Sequence, residues 1–237
     1  MNGLISLAGS GEYLPAMDEI DSYLLANCGA NGRKPRVVCL PTAAGQEGDA
    51  VIDKWSNMGV EHFTRLGADV QPLRVIDAES ANEPGHAKTV EEADLIYFSG
   101  GSPRYLFDTM KDSLVWESVQ KASARGAVYA GCSGGAMVLG KKIPSSRSVT
   151  FKPAEAFGIV EASYIFPHFD AFVFWHPVVQ VMRRSLKKNE VIIGVDEDTA
   201  MVGKLNEEWT VMGRAHVHVF TKNEVKEYAA GEKFLIG

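Results

Sequence analysis

The fold of this chain is decided by one short stretch, Ala127-Val128-Tyr129-Ala130-Gly131-Cys132-Ser133-Gly134-Gly135-Ala136-Met137-Val138-Leu139. Its first residues predict a buried strand, and the apolar run after the glycines predicts the start of a helix. Gly131 and Gly135 lie two positions on either side of Ser133, which lets the strand and the helix pack closely around a sharp turn. The positive end of the helix dipole then points at the serine. The stretch therefore predicts a nucleophile elbow in an α/β protein, with Ser133 as the nucleophile.

Two other interpretations of this stretch stay open. A plain glycine-rich turn between a strand and a helix has the same composition, and it can hold a phosphate group at the helix N-terminus. A register shifted by one residue centres the turn on Cys132, a thiol nucleophile of the kind that glutamine amidotransferases use. Ser133 is the better candidate because it has glycines on both sides.

Outside the elbow, short continuous apolar runs alternate with segments of helical periodicity. Continuous apolar runs are typical of strands that are covered on both faces, as in a parallel sheet. We therefore predict an α/β three-layer sandwich with a mostly parallel central sheet, formed as one domain by residues 1–237. The predicted strands are Leu4–Ala8, Arg36–Leu40, Val70–Val75, Leu95–Phe98, Ala127–Ala130, Tyr164–Phe166 and Val191–Val195. The predicted helices are Ala16–Leu25, Asp49–Leu66, Arg104–Thr109, Leu114–Ala124 and Val178–Lys188.

The C-terminal part of the chain has a different pattern. Met201, Trp209–Met212 and His216–Phe220 are short apolar runs separated by polar residues and glycine. They predict a short antiparallel extension at one edge of the sheet. Residues Lys141–Gly158 are rich in proline, serine and lysine, and they predict a long surface excursion beside the elbow helix.

Composition and charge restrict the partners of the chain. The 237 residues include 24 Lys and Arg against 30 Asp and Glu, so the formal charge is 24 − 30 = −6, with no long run of either sign. We therefore expect neither nucleic acid nor an anionic membrane as a partner. The three cysteines form no Cys-x-x-Cys pair, and the N-terminus lacks the basic region of a signal peptide. These features predict a cytoplasmic protein without a zinc site.

A second glycine-rich loop, residues 99–102, follows the predicted strand Leu95–Phe98. Ligands bind outside the carboxyl ends of the strands in an α/β sheet, so this loop belongs to the functional edge. An acyl-transfer enzyme needs two backbone N–H donors for an oxyanion, and glycine lets the backbone approach the reacting carbonyl group. We assign Gly101 and Gly134 as that pair. The loop also fits a simple helix cap, with Ser102 as the capping residue.

His168 is the candidate general base, because it follows the predicted strand Tyr164–Phe166 at its carboxyl end. Acidic residues that follow Val191–Val195 are available to orient its imidazole ring. We rank Glu197 first, Asp196 second and Asp170 third. The same acidic residues also fit a solvated turn.

The candidate residues occur along the chain in the order nucleophile, histidine, acid. In α/β-hydrolases the acid precedes the histidine. The order of Ser133, His168 and Glu197 therefore argues against the ordinary α/β-hydrolase fold.

Five motifs in this chain occur together in one order, namely Leu40–Ala44, Phe98–Gly101, Gly131–Ala136, Pro167-His168-Phe169 and Gly194–Ala200. In these motifs the chain resembles the S51 peptidases, the group of dipeptidase E and cyanophycinase, and the resemblance spans nearly the whole chain. It implies a fold similar to class I glutamine amidotransferases. It also implies a nucleophilic serine, a basic histidine and an orienting acid, and these roles fall on Ser133, His168 and Glu197.

The resemblance implies a serine-type peptidase that hydrolyses small peptides through an acyl-enzyme, with no metal or organic cofactor. A cyanophycinase-like hydrolase is the first alternative, but the apolar run Ala171–Trp175 follows His168 where that group has further polar residues. A non-catalytic or cysteine-dependent amidotransferase-like domain is the second alternative.

The sequence offers several candidates for substrate recognition and assembly. Ser102, Arg104 and Asp170 are candidate substrate-binding residues. A preference for aspartyl dipeptides, as in dipeptidase E, would require a nearby cation, for which the candidates are Arg104, Arg147, Lys152 and Arg183. The run Phe172–Trp175 is a candidate for either a pocket lid or the surface of a homodimer.

Overall fold

The structure is a computed structural model, and it describes residues 1–144 and 153–236. Its strands are β1 (Ile5–Ala8), β2 (Arg36–Leu40), β3 (Asp69–Pro72), β4 (Leu95–Phe98), β5 (Val128–Cys132), β6 (Lys142–Ile143), β7 (Ala154–Glu155), β8 (Tyr164–Phe166), β9 (Ile192–Val195), β10 (Thr199–Gly203), β11 (Trp209–Gly213), β12 (His216–Phe220), β13 (Val225–Ala229) and β14 (Lys233–Phe234). Its α-helices are α1 (Asp18–Ala26), α2 (Asp49–Arg65), α3 (Pro84–Glu91), α4 (Pro103–Met110), α5 (Leu114–Arg125), α6 (Gly134–Met137) and α7 (Trp175–Arg183). Sequence periodicity did not predict α3, because Val90 is its one buried residue and no apolar stripe marks it.

The larger of the two main sheets has the strand order β14-β11-β10-β1-β5-β4-β2-β3. Strands β1, β5, β4, β2 and β3 are parallel, whereas β10, β11 and β14 pair antiparallel along one side. The predicted α/β architecture with a mostly parallel sheet is therefore confirmed. Parallel strands end at the same edge of a sheet, so the loops that follow β1, β2, β4 and β5 are neighbours there.

A smaller sheet contains β13, β12, β9 and β8 in that order, with β8 and β9 parallel. We predicted Tyr164–Phe166 and Val191–Val195 in the main sheet and His216–Phe220 in its extension, and these placements are wrong. A continuous apolar run shows that a strand is covered on both faces, but it does not show which sheet the strand joins. The chain passes from β9 of the small sheet to β10 of the large sheet through Asp196–Asp198.

The two faces of the large sheet belong to different apolar clusters. Val37 and Cys39 of β2 pack with residues of α1 and α2, whereas Val38 and Leu40 pack with residues of α4, α5 and the small sheet. Both faces of the strand are therefore covered, and fully burying a valine or leucine side chain contributes about 1.5–3 kcal/mol. The layers are α1 and α2, then the large sheet, then α3 to α5 together with the small sheet.

Helix α7 covers the outer face of the small sheet, where Val179 packs with Phe166 and Ile192. The predicted surface excursion at Lys141–Gly158 lies partly outside the described residues. Its described part includes the short strands β6 and β7, which pair antiparallel. Among residues 1–144 and 153–236, no helix combines the length and the apolar character needed to cross a lipid bilayer.

Candidate active site

The turn at Ser133 is a strained elbow between β5 and the short helix α6. Ser133 has φ 49° and ψ −111°, a backbone conformation that costs energy for a residue with a side chain. A Cβ atom on Gly131 would lie 2.3 Å from the Gly135 carbonyl oxygen, and one on Gly135 would lie 2.4 Å from that of Phe98. Only glycine therefore fits at these two positions, as the sequence pattern predicts. The elbow presents the Ser133 side chain at the carboxyl edge of the large sheet.

His168, which follows β8 of the small sheet, lies beside this serine. Its Nε2 atom is 3.0 Å from the Ser133 Oγ atom, and its Nδ1 atom is 2.8 Å from the Glu197 Oε1 atom. An ionised carboxylate can only accept, so Nδ1 carries the hydrogen, and Nε2 of the neutral ring accepts from the serine hydroxyl. The structure thus joins Ser133, His168 and Glu197 in one hydrogen-bonded chain.

The three acidic candidates occupy different positions. Glu197, ranked first, is the one that contacts His168. Asp196 is buried and accepts hydrogen bonds from the backbone N–H of His216 and from the His218 ring, so its carboxylate faces the small sheet. Asp170 Oδ1 accepts a hydrogen bond of 2.8 Å from the Glu197 N–H. Asp170 therefore holds the backbone that carries Glu197, an arrangement that its sequence position alone does not reveal.

In the loop of residues 99–102, three of the four backbone N–H groups donate a hydrogen bond. The Ser99 N–H donates to the Leu40 carbonyl oxygen, and the Ser102 N–H donates to the Ala43 carbonyl oxygen. The Gly100 N–H donates to Glu12 Oε1 at 3.0 Å. Among the residues that the structure describes, the Gly101 N–H has no acceptor.

The Gly134 N–H, at the first position of α6, likewise has no acceptor within residues 1–144 and 153–236. The two glycines are also in close contact. A Cβ atom on Gly134 would lie 2.6 Å from the Gly101 carbonyl oxygen, and Gly101 has φ +132°. Both predicted donors therefore lie next to the elbow, and the loop also forms the predicted helix cap, since Ser102 Oγ accepts from the Tyr105 N–H.

Cys132, the competing nucleophile, lies on the other side of the strand. It is fully buried in the apolar cluster beneath α1 and α2. Burial, together with the nearby Glu12 carboxylate, raises the pKa of the Cys132 thiol well above its ordinary value. A protonated and inaccessible thiol is a poor nucleophile, and this geometry disfavours the register centred on Cys132.

Two of the remaining recognition candidates, Arg104 and Arg183, lie on the helices α4 and α7. Arg104 forms an exposed ion pair with Asp108 on α4, and Arg183 lies half-buried in the last turn of α7. Arg147 and Lys152 lie outside the described residues. The exposed Phe172 ring is 5.1 Å from the His168 ring, so the aromatic run begins beside the histidine. No group of three or more His, Cys, Asp and Glu side chains is arranged to hold a metal ion in the described part of the chain.

Comparisons with known proteins agree with this architecture. The model of peptidase family S51 matches residues 4–208. The crystal structure of a peptidase from an acI-B1 Actinobacterium is 37% identical, with a TM-score of 0.89, and the match covers 99% of this chain and 97% of that chain. A crystal structure from Listeria monocytogenes EGD-e, assigned as a candidate Peptidase E protein, is 18% identical with a TM-score of 0.65, covers 90% of this chain and 99% of that chain, and shows the shared fold alone. A search of curated proteins gave no match.

The family match extends over far more than half of the chain, and the peptidase from the Actinobacterium is similar along almost its full length. The chain is therefore a hydrolase of peptide bonds that belongs to peptidase family S51.

Proposed function

We propose that this peptidase is of the serine type and hydrolyses small peptides through an acyl-enzyme formed on Ser133. The observation that carries the proposal is the chain of hydrogen bonds from Ser133 Oγ to His168 Nε2 at 3.0 Å and from His168 Nδ1 to Glu197 Oε1 at 2.8 Å. A nucleophile within hydrogen-bond distance of a base, which is itself oriented by a third group, is the geometry that activates a serine hydroxyl.

In the first step, Ser133 Oγ attacks the peptide carbonyl carbon while its proton moves to His168 Nε2. Glu197 stabilises the imidazolium that results. The carbonyl oxygen becomes an oxyanion, and the N–H groups of Gly101 and Gly134 are the donors available for it. His168 then gives its proton to the departing amine, and the acyl group stays bound to Ser133.

In the second step, water hydrolyses the acyl-enzyme. His168 takes a proton from the water, whose oxygen attacks the ester carbonyl carbon, and the proton then returns to Ser133 Oγ as the carboxylic acid leaves. The same donors serve both tetrahedral intermediates. The peptide and one water molecule are the reactants that balance the two steps.

Small peptides are the substrate class that the resemblance to dipeptidase E implies. The exposed Phe172 ring beside His168 gives the rim of the site an apolar patch. An arginine-bearing polymer of the cyanophycin type would require acidic or polar groups there. The apolar patch therefore supports small peptides over the polymer.

The chemistry is tested by labelling with a fluorophosphonate, which reacts with activated serines. We expect the wild type and Cys132→Ala to be labelled at Ser133, and Ser133→Ala to remain unlabelled with an unchanged melting temperature. Cys132→Ala is the matched control, because it alters the adjacent residue of the same turn. Activity that persists in Ser133→Ala, or that is lost on alkylation of Cys132 by iodoacetamide, contradicts the proposal.

The substrate class is tested separately by a panel of dipeptides, tripeptides and arginine-bearing aspartate polymer. We expect turnover of dipeptides or tripeptides, with loss of turnover in Ser133→Ala. Hydrolysis of the polymer alone would contradict small peptides as the substrate class and favour the cyanophycinase-like alternative. The proposed serine chemistry would be unaffected.

A further inference from the structure

Glu12 is a buried acidic residue that the chemistry above does not use. It lies in the loop after β1, at the same edge of the large sheet as Ser133, and its side chain is buried. A buried carboxylate is costly unless it is hydrogen-bonded. Its Oε1 atom accepts the Gly100 N–H at 3.0 Å, and the Cys132 thiol lies beside the same carboxylate. Glu12 therefore contacts both the loop after β4 and the residue that precedes the nucleophile.

The contact with Gly100 is close to the nucleophile itself. A Cβ atom on Gly100 would lie 2.4 Å from Glu12 Oε1 and 3.1 Å from the Ser133 Cβ atom. Gly100 is thus packed between the carboxylate on one side and the serine on the other. The position of the Gly100 backbone is set by its hydrogen bond, because no side chain is present to set it.

The Glu12 contact also decides which peptide group of the loop stays available. The N–H groups of Ser99, Gly100 and Ser102 are all anchored, two by backbone carbonyl groups and one by Glu12. The peptide group that carries the Gly101 N–H lies between two anchored neighbours. Without the Glu12 anchor, the two consecutive glycines would let this peptide group rotate, since glycine has few conformational restrictions.

We propose that Glu12 is a positioning residue that holds the Gly100 peptide so that the Gly101 N–H stays directed at the oxyanion. This inference rests on the proposed serine chemistry. Glu12 acts through its acceptor oxygen and not through a proton transfer, so an uncharged acceptor of the same shape should replace it. The carboxylate charge gives no benefit to an adjacent oxyanion, which is a second reason to expect the amide to suffice.

The variants Glu12→Met and Glu12→Gln distinguish the contribution of the acceptor oxygen from those of side-chain volume and charge. Met fills the site without an acceptor, whereas Gln keeps an amide oxygen for the Gly100 N–H. Removing one oxyanion donor typically lowers kcat by about 10²–10³-fold, so a loosened donor in Glu12→Met should lower kcat by about 10–100-fold with KM almost unchanged. Glu12→Gln should stay within about threefold of the wild type in the same measurements.

Asp21 provides a matched control for a merely structural role. It is also a buried carboxylate, but its partner is the His62 ring at 2.7 Å, and among the described residues its side chain makes no hydrogen bond to the loop of residues 99–102. We expect Asp21→Asn to lower the melting temperature while the rate of fluorophosphonate labelling stays unchanged. Equal loss of labelling in Asp21→Asn and Glu12→Met, without rescue by Glu12→Gln, would overturn the proposal.

Amide hydrogen exchange in the wild type keeps the test independent of catalysis and of variant folding. We expect the Gly100 N–H to be protected and the Gly101 N–H to exchange quickly, and Glu12→Met should raise the exchange of Gly100 by at least about tenfold. Fast exchange of Gly100 in the wild type would overturn the role of Glu12 even if Ser133 is labelled. Absence of label at Ser133 with a protected Gly100 would refute the serine chemistry and, with it, the catalytic purpose of the anchor.

Discussion

The candidate active site joins two halves that are held in different ways. The nucleophile half, residues 99–102 and 131–135, follows β4 and β5 of the large sheet and is shaped by backbone contacts that exclude any Cβ atom. The base half, residues 166–170 and 195–198, follows β8 and β9 of the small sheet. Its two loops are joined by a backbone bond from the Phe169 N–H to the Val195 carbonyl oxygen, but His168 and Glu197 are positioned by side-chain hydrogen bonds to Glu197 and its N–H. A half built from backbone should tolerate no added atom, whereas a half built from side chains should tolerate a conservative change that preserves each hydrogen bond. We therefore expect the two halves of the site to respond differently to substitutions.

The largest effect is expected where a conservative change in the base half reverses a hydrogen bond. Glu197→Gln keeps the size of the side chain, but its amide group can donate to His168 Nδ1 and so favour the tautomer with hydrogen on Nε2, which cannot accept the serine proton. We expect kcat to fall about 10³–10⁴-fold with little change in the melting temperature. The measurement is steady-state hydrolysis of the best small peptide together with the rate of phosphonate labelling.

Asp196→Asn is the matched control for that variant, because Asp196 is the adjacent acid and its carboxylate faces His216 and His218. It should lower stability while kcat stays within about threefold of the wild type. If Asp196→Asn abolishes turnover and Glu197→Gln does not, the assignment of the acid has to be exchanged.

The next largest effect is expected from one added methyl group in the nucleophile half. In Gly134→Ala the new Cβ atom would lie 2.6 Å from the Gly101 carbonyl oxygen, so the two backbones would be forced apart. Displacing a pair of oxyanion donors should lower kcat by about 10²–10³-fold. Gly140→Ala, where the nearest atoms are 3.5 Å away, is the control and should leave kcat unchanged. Normal turnover in Gly134→Ala would show that the nucleophile half is not held by backbone contact.

A smaller effect is expected one step away from the histidine. Asp170→Ala removes the acceptor for the Glu197 N–H and should lower kcat by about tenfold, whereas Asp170→Asn keeps an oxygen there and should stay within about threefold. Separate measurements of kcat and KM distinguish the positioning of Glu197 from substrate binding, which is the role that the sequence suggested for Asp170. A rise in KM with unchanged kcat in both variants would restore Asp170 as a substrate-binding residue.

The two halves also differ in how well the sequence predicted them. Glycine at 131, 134 and 135 marks a backbone geometry that no other residue allows, so the elbow at Ser133 and the loop with Gly101 were predictable from local spacing. His168 and Glu197 were predictable only as residues at strand ends, because their meeting depends on the order and the sheet of β8, β9 and β10. Local periodicity carries no information on strand order, and this is why those strands were assigned to the wrong sheet.

The two roles that the sequence did not reveal depend on contacts over long sequence distances. Glu12 meets Gly100 across 88 positions, and Asp170 meets the Glu197 N–H across 27. A carboxylate four positions after the first predicted strand, at the functional edge, was the available signal for Glu12. It was not distinctive, because an acidic residue in a loop is usually solvated. Glu12 differs from such a residue because it is buried, and its burial is known only from the folded structure.

The smallest effect on activity is expected at the opposite edge of the large sheet, where Asp94 precedes β4. Its carboxylate is buried, yet hydrogen bonds from the Arg33 guanidinium and the Arg36 N–H outweigh the effect of burial and lower its pKa. A carboxyl group whose pKa is lower in the folded state than in the unfolded state stabilises the fold. The full contribution is present when the pH is above the pKa of the unfolded state, near 3.8, and it is lost as the pH falls through the pKa of the folded state. Asp94→Asn should therefore lower the melting temperature at pH 7 by about 3–8 °C, a difference that shrinks toward pH 3.

The nucleophile half lies at the other end of β4, and the base half follows strands of the small sheet, so Asp94→Asn should leave the rate of phosphonate labelling within about twofold of the wild type. The control is Asp53→Asn, which breaks the exposed ion pair with Arg74 and should change neither property, because exposed pairs contribute little. The melting temperature is measured across pH 3–8, and the rate of phosphonate labelling is measured at pH 7. A tenfold loss of labelling in Asp94→Asn would mean that the backbone of the nucleophile half depends on the whole strand and not on its own glycine contacts. The difference between the two halves would then lie in their sheets rather than in their loops.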